Sequence, residues 1–375
     1  MKFFAGILAG LVLMVQISCA THRQLTDLQT QHAAESQEPE TPPVVPLNPR
    51  TIELEIRVEI SHIRVLKGDA LRRDNLAHGI PAEAPPQLHL WSPAIIQRQG
   101  QTILDLALEG PMPKTIFVDS ENQNRIFYWD LSPLLGKQDP IVIVRRAKVE
   151  SHELIALIDS LNLGPYNPED PAVKRNLQEE AFLERTPEII RTAYRIVGGE
   201  ENPYRKARMI FSWVKRNMRY QRHVPRRGAM AALSTLRGDS GQFADLFVAL
   251  CRAVGVPARP VYGFLADQAP ELQRHAWAEF YLPGHGWIPA DPAAGKDAFG
   301  HLDNRRIVAS AGRNIRLQYA PIWATYRNSE VENGRTPFMQ VVTVVKSGIR
   351  AKIKSSARIL SFGESVAGVV PPQDR

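Results

Sequence analysis

The chain reads as an α+β protein in which an all-β region precedes a mixed region of helices and strands. Three observations carry this reading. Residues 51–60 alternate apolar and polar side chains with a period of two, and five more strand-like runs follow before residue 150. From about residue 151 the pattern turns helical, with capped starts and glycine stops. Between His275 and Asp291 two strand-like runs flank Pro283-Gly284-His285-Gly286, so strands return after the helices.

Residues 1–19 have the form of an export signal: Lys2, an apolar stretch, then Ile17-Ser18-Cys19. The run is too short to favour a spanning helix. Its end resembles a bacterial lipobox with Gln16 at an atypical position, which implies lipidation of Cys19. Ala20 in place of an acidic residue implies the outer membrane, with the chain facing the periplasm; without lipidation the expectation is a periplasmic protein. Residues 20–50 are polar and then Pro-rich without periodicity, a disordered tether. As a flexible coil it reaches about 30 Å.

Residues 51–150 form the expected β domain, with further strands at 87–91, 102–108, 115–118, 125–129 and 141–146 and the spacing of a small sandwich. Residues 151–320 are the second domain. It opens with a weak helix at 152–161. Thr186-Pro187-Glu188 then starts a helix that Gly198-Gly199 stops, and Asn202-Pro203 starts another with Ala207, Ile210, Val214 and Met218 on one face. Runs at 299–303 and 307–317 finish its core with a strand. Residues 321–375 are a C-terminal extension with one strand at 337–345 and a frayed end.

Composition bounds the function. With 44% apolar and 23% charged residues, a sizeable core is expected. The net charge of +7 suits anionic envelope polymers or lipid head groups, and no nucleic-acid motif accompanies it, so nucleic acid is not an expected partner. The two cysteines are Cys19 and Cys251, so no disulfide is expected once Cys19 is lipidated or removed. No P-loop, dinucleotide fingerprint or zinc cluster occurs, and His223, His285 and His301 lack metal-ligand spacing, so neither cofactor nor metal is expected.

The chemistry concentrates between residues 236 and 292. Ser240 precedes Phe243, Phe247, Leu250, Cys251 and Val254 at helical spacing, with Gly255 as the stop. A nucleophile there sees free backbone N–H groups and the positive end of the helix dipole. His275 and Asp291 face each other if the hairpin is centred on residue 283, which falls on the turn. A carboxylate on one ring nitrogen fixes the tautomer and leaves the other as a base. The expected geometry puts Ser240 within about 4 Å of His275, and His275 on Asp291.

These blocks, Arg237-Gly238-Asp239-Ser240-Gly241-Gln242-Phe243-Ala244, Gly255-Val256-Pro257-Ala258-Arg259, His275-Ala276-Trp277-Ala278-Glu279 and Gly286 to Pro292, resemble in order the transglutaminase-like superfamily. The resemblance covers about residues 165–310. It implies a papain-like α+β core with a Cys-His-Asp triad, acting on amide bonds of peptide, protein or cell-wall substrates. The family's cysteine falls on Ser240, while His275 and Asp291 match. A thiol is partly ionised near neutrality and strongly nucleophilic, whereas a hydroxyl needs a base placed for concerted proton removal. Three readings stand: a silent or very slow cleft that binds peptide or cell-wall material, a working Ser240-His275-Asp291 hydrolase or acyltransferase, and an introduced Cys→Ser exchange.

Cys251, about 16 Å along the helix from Ser240 at 1.5 Å per residue, reads as a core residue and no substitute nucleophile. Tyr220 is a candidate donor to an oxyanion. The segment from Arg219 to Gly228 is basic; it reads either as a solvated loop or as a holder of a carboxylate- or phosphate-bearing substrate.

Overall fold

The computed structural model describes residues 44–161, 163–222, 224–268, 270–295, 298–321 and 334–363. The leader, Cys19, most of the tether, His223 and the last twelve residues lie outside the described residues. Pro43–Arg375 forms one compact unit.

The alternating run at 51–60 lies within a longer strand, β1 (Val44–Val65). Ile52, Leu54, Ile56, Val58 and Ile60 are buried, as the period of two requires. A helix, α1 (Gly68–Ala77), lies within the β region, an element the sequence pattern did not single out. Then come β2 (Gln87–Pro93), β3 (Gln101–Glu109), β4 (Thr115–Val118), β5 (Arg125–Asp130) and β6 (Ile141–Ala156). β6 runs through the segment expected to open a helix at 152. Its pairing with β1 continues to Val44↔Ala156, so backbone pairing outweighs the weak helical pattern.

The helical part holds α2 (Pro171–Asn176), α3 (Pro187–Val197) and α4 (Pro203–Asn217). The expected starts are present: the Thr186 side chain accepts from Ile189 N, and that of Asn202 from Arg205 N. A two-residue strand, β7 (Arg219–Tyr220), a short helix, α5 (Ala229–Thr235), and β8 (Arg237–Gly238) lead into α6 (Ser240–Ala253). The hairpin region is β9 (Ala258–Leu265), β10 (Gln273–Leu282) and β11 (Gly286–Ala290). It is followed by β12 (His301–Leu302), β13 (Arg306–Ala311) and β14 (Ile315–Arg316).

The C-terminal segment departs from expectation. It holds β15 (Arg335–Thr336), β16 (Thr343–Ser347) and β17 (Ile349–Gly363) rather than one strand at 337–345. β16 pairs with β2, and β17 pairs with β1 over most of its length. The chain end therefore completes sheets begun at the other end. Such long-range pairing leaves no local trace in the sequence.

Two sheets make the β-rich region: β12-β6-β1-β17, with β3 also on β6, and β16-β2-β5-β4. Arg145 on β6 links them, lying over the Phe127 ring and donating to Pro93 O at 2.6 Å. A third sheet, β11-β10-β9-β13, carries the candidate site. α6 packs on this sheet through Ala278, Phe280, Leu282 and Ile288, within a core that also takes in α3, α4 and α5. Ile52, Leu54 and Ile56 of β1 join Phe264, Ile307 and Ala309 of the third sheet in another core. The site-bearing sheet is thus held by apolar cores that include both a helical layer and the β-rich region, which limits its movement.

One glycine sets the approach of its strands. A Cβ on Gly263 would lie 2.0 Å from Ile307 O. Gly263 pairs with His275 on one side and Val308 on the other. Gly263→Ala is expected to destabilise the fold by about 1–3 kcal/mol through overpacking against backbone. A urea unfolding midpoint equal to that of the parent protein would contradict this.

Candidate active site

Ser240 is the first residue of α6, not the residue before it; Asp239 is the cap, and its side chain accepts from Gln242 N at 3.2 Å. α6 is buried along nearly its whole length. A helix so enclosed fixes its N-terminus against the sheet. The Ser240 Oγ accepts the Ala276 N–H at 3.2 Å. The ladder between β10 and β11 ends at Ala278↔Ala290, leaving Ala276 beyond its end. Among the described residues no hydrogen bond joins Ser240 to the His275 ring; the hydroxyl meets the backbone of the next residue instead.

The histidine and the aspartate do meet. His275 Nε2 lies 2.7 Å from Asp291 Oδ2. The register behind this differs from the expected one. The hairpin is centred on residue 284, which sets Asp291 beyond the last pair in line with Trp277 rather than His275. His275 and Asp291 are diagonal neighbours on one face, about 7–8 Å apart at Cα in such geometry, within reach of an imidazole and a carboxylate. Because the shift is two residues, the face is unchanged. The His275 ring also stacks beside Trp277, with centroids 6.2 Å apart.

Arg306, from the far edge strand of the sheet, was not among the sequence candidates. Its Nη2 donates to Asp291 Oδ2 at 2.7 Å, and its Nη1 lies 2.7 Å from Asp303 Oδ1. Ala293 N donates to Asp291 Oδ1 at 3.1 Å. Asp291 is fully buried. Burial alone would raise its carboxyl, but the His275 hydrogen bond, the His275 charge and Arg306 bring it below the ordinary range. Asp303 is likewise opposed by burial, yet its bonds to Arg305 and Arg306 hold it at about 2. Gln340 donates to His275 O at 3.0 Å and to Gly263 O, tying the β9–β10 pair to a residue from the chain's C-terminal part.

Other motif residues do structural work. Arg259 and Glu279 are partners across β9 and β10, 2.7 Å apart, and Arg98 adds a second cation at 3.2 Å. Arg259 also lies over the Trp287 ring, 3.8 Å from its centroid, and burial lowers its guanidinium to about 10. Asp245, one turn past Ser240, is buried against Arg313. Cys251 is fully buried, and burial pushes its thiol up, so it is a core residue.

The basic segment is folded onto the site. β7 and β8 pair in parallel, Arg219↔Arg237 and Tyr220↔Gly238, and Gln221 N donates to Gly238 O at 2.8 Å. Buried Gln242 donates to Arg226 O at 2.9 Å. A Cβ on Gly238 would meet the Gln242 side chain at 2.6 Å, so this approach needs glycine. Tyr220 is brought beside Gly238, but its side chain is 56% exposed and its nearest recorded ring neighbour is Phe243 at 6.4 Å. Among the described residues no group of three or more His, Cys, Asp or Glu is placed to hold a metal, and no helix is long and apolar enough to cross a membrane.

Comparison with known proteins bears on the fold that carries these residues. Residues 190–292 match the family model of the transglutaminase-like superfamily. The chain carries a transglutaminase-like domain after an N-terminal β-rich region. An uncharacterized protein of Haemophilus influenzae is 24% identical over 247 residues, covering 57% of this chain and 66% of that protein. The uncharacterized protein YebA of Bacillus subtilis is 24% identical over 152 residues, covering 33% of this chain and 21% of its own length. The match thus spans just under two thirds of the first relative and about a fifth of the second. Among solved structures, a candidate cysteine protease from Cytophaga hutchinsonii shares the fold, with a TM-score of 0.56 and 17% identity over 85% of this chain and 93% of that one. The periplasmic domain of TgpA from Pseudomonas aeruginosa aligns with a TM-score of 0.35 and 17% identity over 64% of this chain and 88% of that one.

Asp291 and Asp303 both titrate lower in the folded chain than in the unfolded one. Their stabilisation is therefore complete above the ordinary carboxylate range near pH 4 and is lost as the pH falls below that range, for Asp303 toward about 2. Asp303→Asn is expected to make the loss of stability between about pH 5 and about pH 2 shallower. Urea midpoints that fall as steeply as those of the parent protein would contradict it.

Proposed function

We propose that this transglutaminase-like domain binds an amide-bearing peptide or cell-wall segment in the cleft headed by Ser240 and turns it over very slowly or not at all. The observation that carries this reading is the Ser240 hydroxyl, which accepts a backbone N–H and, among the described residues, makes no hydrogen bond to the imidazole. A cysteine in that seat would have less need of such a contact, because its thiolate is populated near neutrality and the helix N-terminus favours it. A serine has no comparable anion and depends on a base in direct contact.

A second reading has one observation in its favour. Asp291 takes Nε2 of His275, so Nδ1 is the nitrogen left to act as a base. In that reading Ser240 attacks an amide carbonyl, His275 takes the hydroxyl proton and passes it to the departing amine, and Asp291 holds the ring. Backbone N–H groups at the head of α6 and the Tyr220 hydroxyl are the candidate donors to the oxyanion. Either reading takes a peptide, protein or cell-wall partner.

For location we infer export, with lipidation at Cys19 and a folded body facing the periplasm from the outer membrane; the tether expected over residues 20–50 is cut short by β1, which already begins at Val44 and pairs with β6 from there. The support is the leader pattern at residues 1–19 and the Pro-rich composition that follows it.

Ser240→Cys separates the readings. The variant is expected to be alkylated stoichiometrically by iodoacetamide at neutral pH, while a serine-directed fluorophosphonate leaves the parent protein unlabelled. Phosphonate labelling at Ser240, or turnover of a glutamine-containing peptide by the parent protein, would establish the serine enzyme instead. An inert cysteine would mean that the cleft no longer supports nucleophile chemistry.

A further inference from the structure

We propose that the approach to Ser240 is a subsite for carboxylates, and that the peptide held in this cleft is acidic. The inference rests on the reading of the cleft as an amide-binding site and deepens it. Residues 219–245 contain five arginines, at 219, 222, 226, 227 and 237, against two acids, Asp239 and Asp245. Both acids are already taken. Asp239 caps α6 and pairs with Arg227 at 3.2 Å, and Asp245 is buried on Arg313. Among the described residues Arg219, Arg222, Arg226 and Arg237 have no carboxylate partner, and all four are exposed.

Their placement is built by the fold. The parallel pairing of β7 and β8 sets Arg219 beside Arg237. Like charges on neighbouring strand positions repel, so this pairing costs stability without a counter-charge. The following pair, Tyr220↔Gly238, lies two residues before Ser240, and the Gln242 bond to Arg226 O anchors the rest of the segment to α6. Guanidinium groups bind carboxylates through paired N–H donors, and two adjacent guanidiniums suit a carboxylate placed between them. An acidic side chain or C-terminal carboxylate a few residues from the bound amide would meet that need.

The test uses the whole protein and two labelled octapeptides, one of glutamates around a central glutamine and one of glutamines throughout, followed by fluorescence anisotropy. The acidic peptide is expected to bind at least about tenfold more tightly than the neutral one at low salt, with the difference shrinking as salt screens it. Arg219→Gln with Arg237→Gln is expected to weaken acidic-peptide binding by about tenfold. Lys352→Gln with Lys354→Gln, the same charge change on exposed positions of β17, is expected to leave it within about twofold. Circular dichroism melts establish that both double variants fold. Equal binding of the two peptides, absence of binding, or equal loss in the two double variants would overturn the subsite. The assay needs neither turnover nor a changed Ser240. Acidic-peptide binding with an inert Ser240→Cys protein would sink the cleft chemistry and leave the subsite standing; labelling without charge preference would do the reverse.

Discussion

A fully buried carboxylate, Asp291, shared by an imidazole and a guanidinium, is the constraint on which the site depends. A charge at that depth is costly unless it is paired and hydrogen-bonded. Here three parts of the chain supply the pairing: β10 gives His275, β13 gives Arg306, and the turn after β11 gives Ala293 N–H. Removing any one leaves the others to hold an under-satisfied anion. The order β11-β10-β9-β13 is therefore tied to the electrostatics of one side chain as well as to apolar packing. Arg306 binds the same oxygen as the imidazole, so Asp291 is neutralised locally and serves foremost as an acceptor that orients the ring.

The same sheet shows how the motif blocks divide their labour. His275 and Asp291 meet at the end of the hairpin, where the ladder stops and polar groups are free to turn toward α6. One pair further in, Glu279 and Arg259 close a partly buried ion pair beneath Trp287. That pair binds β9 to β10 and reaches Arg98 in the β-rich region. Charged residues of two motif blocks thus hold the frame, and the histidine is left to meet Asp291. Ser240 arrives from a separate layer, on a helix whose burial allows it little freedom.

Much of this was legible in the residues because it is local. Period-two alternation marked β1, caps marked α3 and α4, and the helical spacing after Ser240 marked α6. The hairpin placed His275 and Asp291 on one face even though its centre was off by one residue, since a register error of two preserves the face. What was not legible is non-local. Arg306 carries no motif and reaches Asp291 only after β13 pairs with β9. Gln340 comes from a segment read as strand and lies before β16. β17 pairs with β1 across almost the whole chain, and a weak helical pattern at 152 yields to a ladder whose partner lies about a hundred residues away. The charge imbalance near Ser240 was visible in composition, but the side-by-side setting of Arg219 and Arg237 was not.

The central claim is that Asp291 fixes the His275 ring through Nε2 and leaves Nδ1 as the nitrogen not bound to it. Nitrogen-15 NMR of the His275 imidazole at neutral pH tests it most directly, with Asp291→Asn as the comparison. The account predicts a proton on Nε2, an unprotonated Nδ1, and loss of that tautomer preference in the variant. A proton resident on Nδ1 in the parent protein, or identical ring spectra with and without the Asp291 carboxylate, would contradict it.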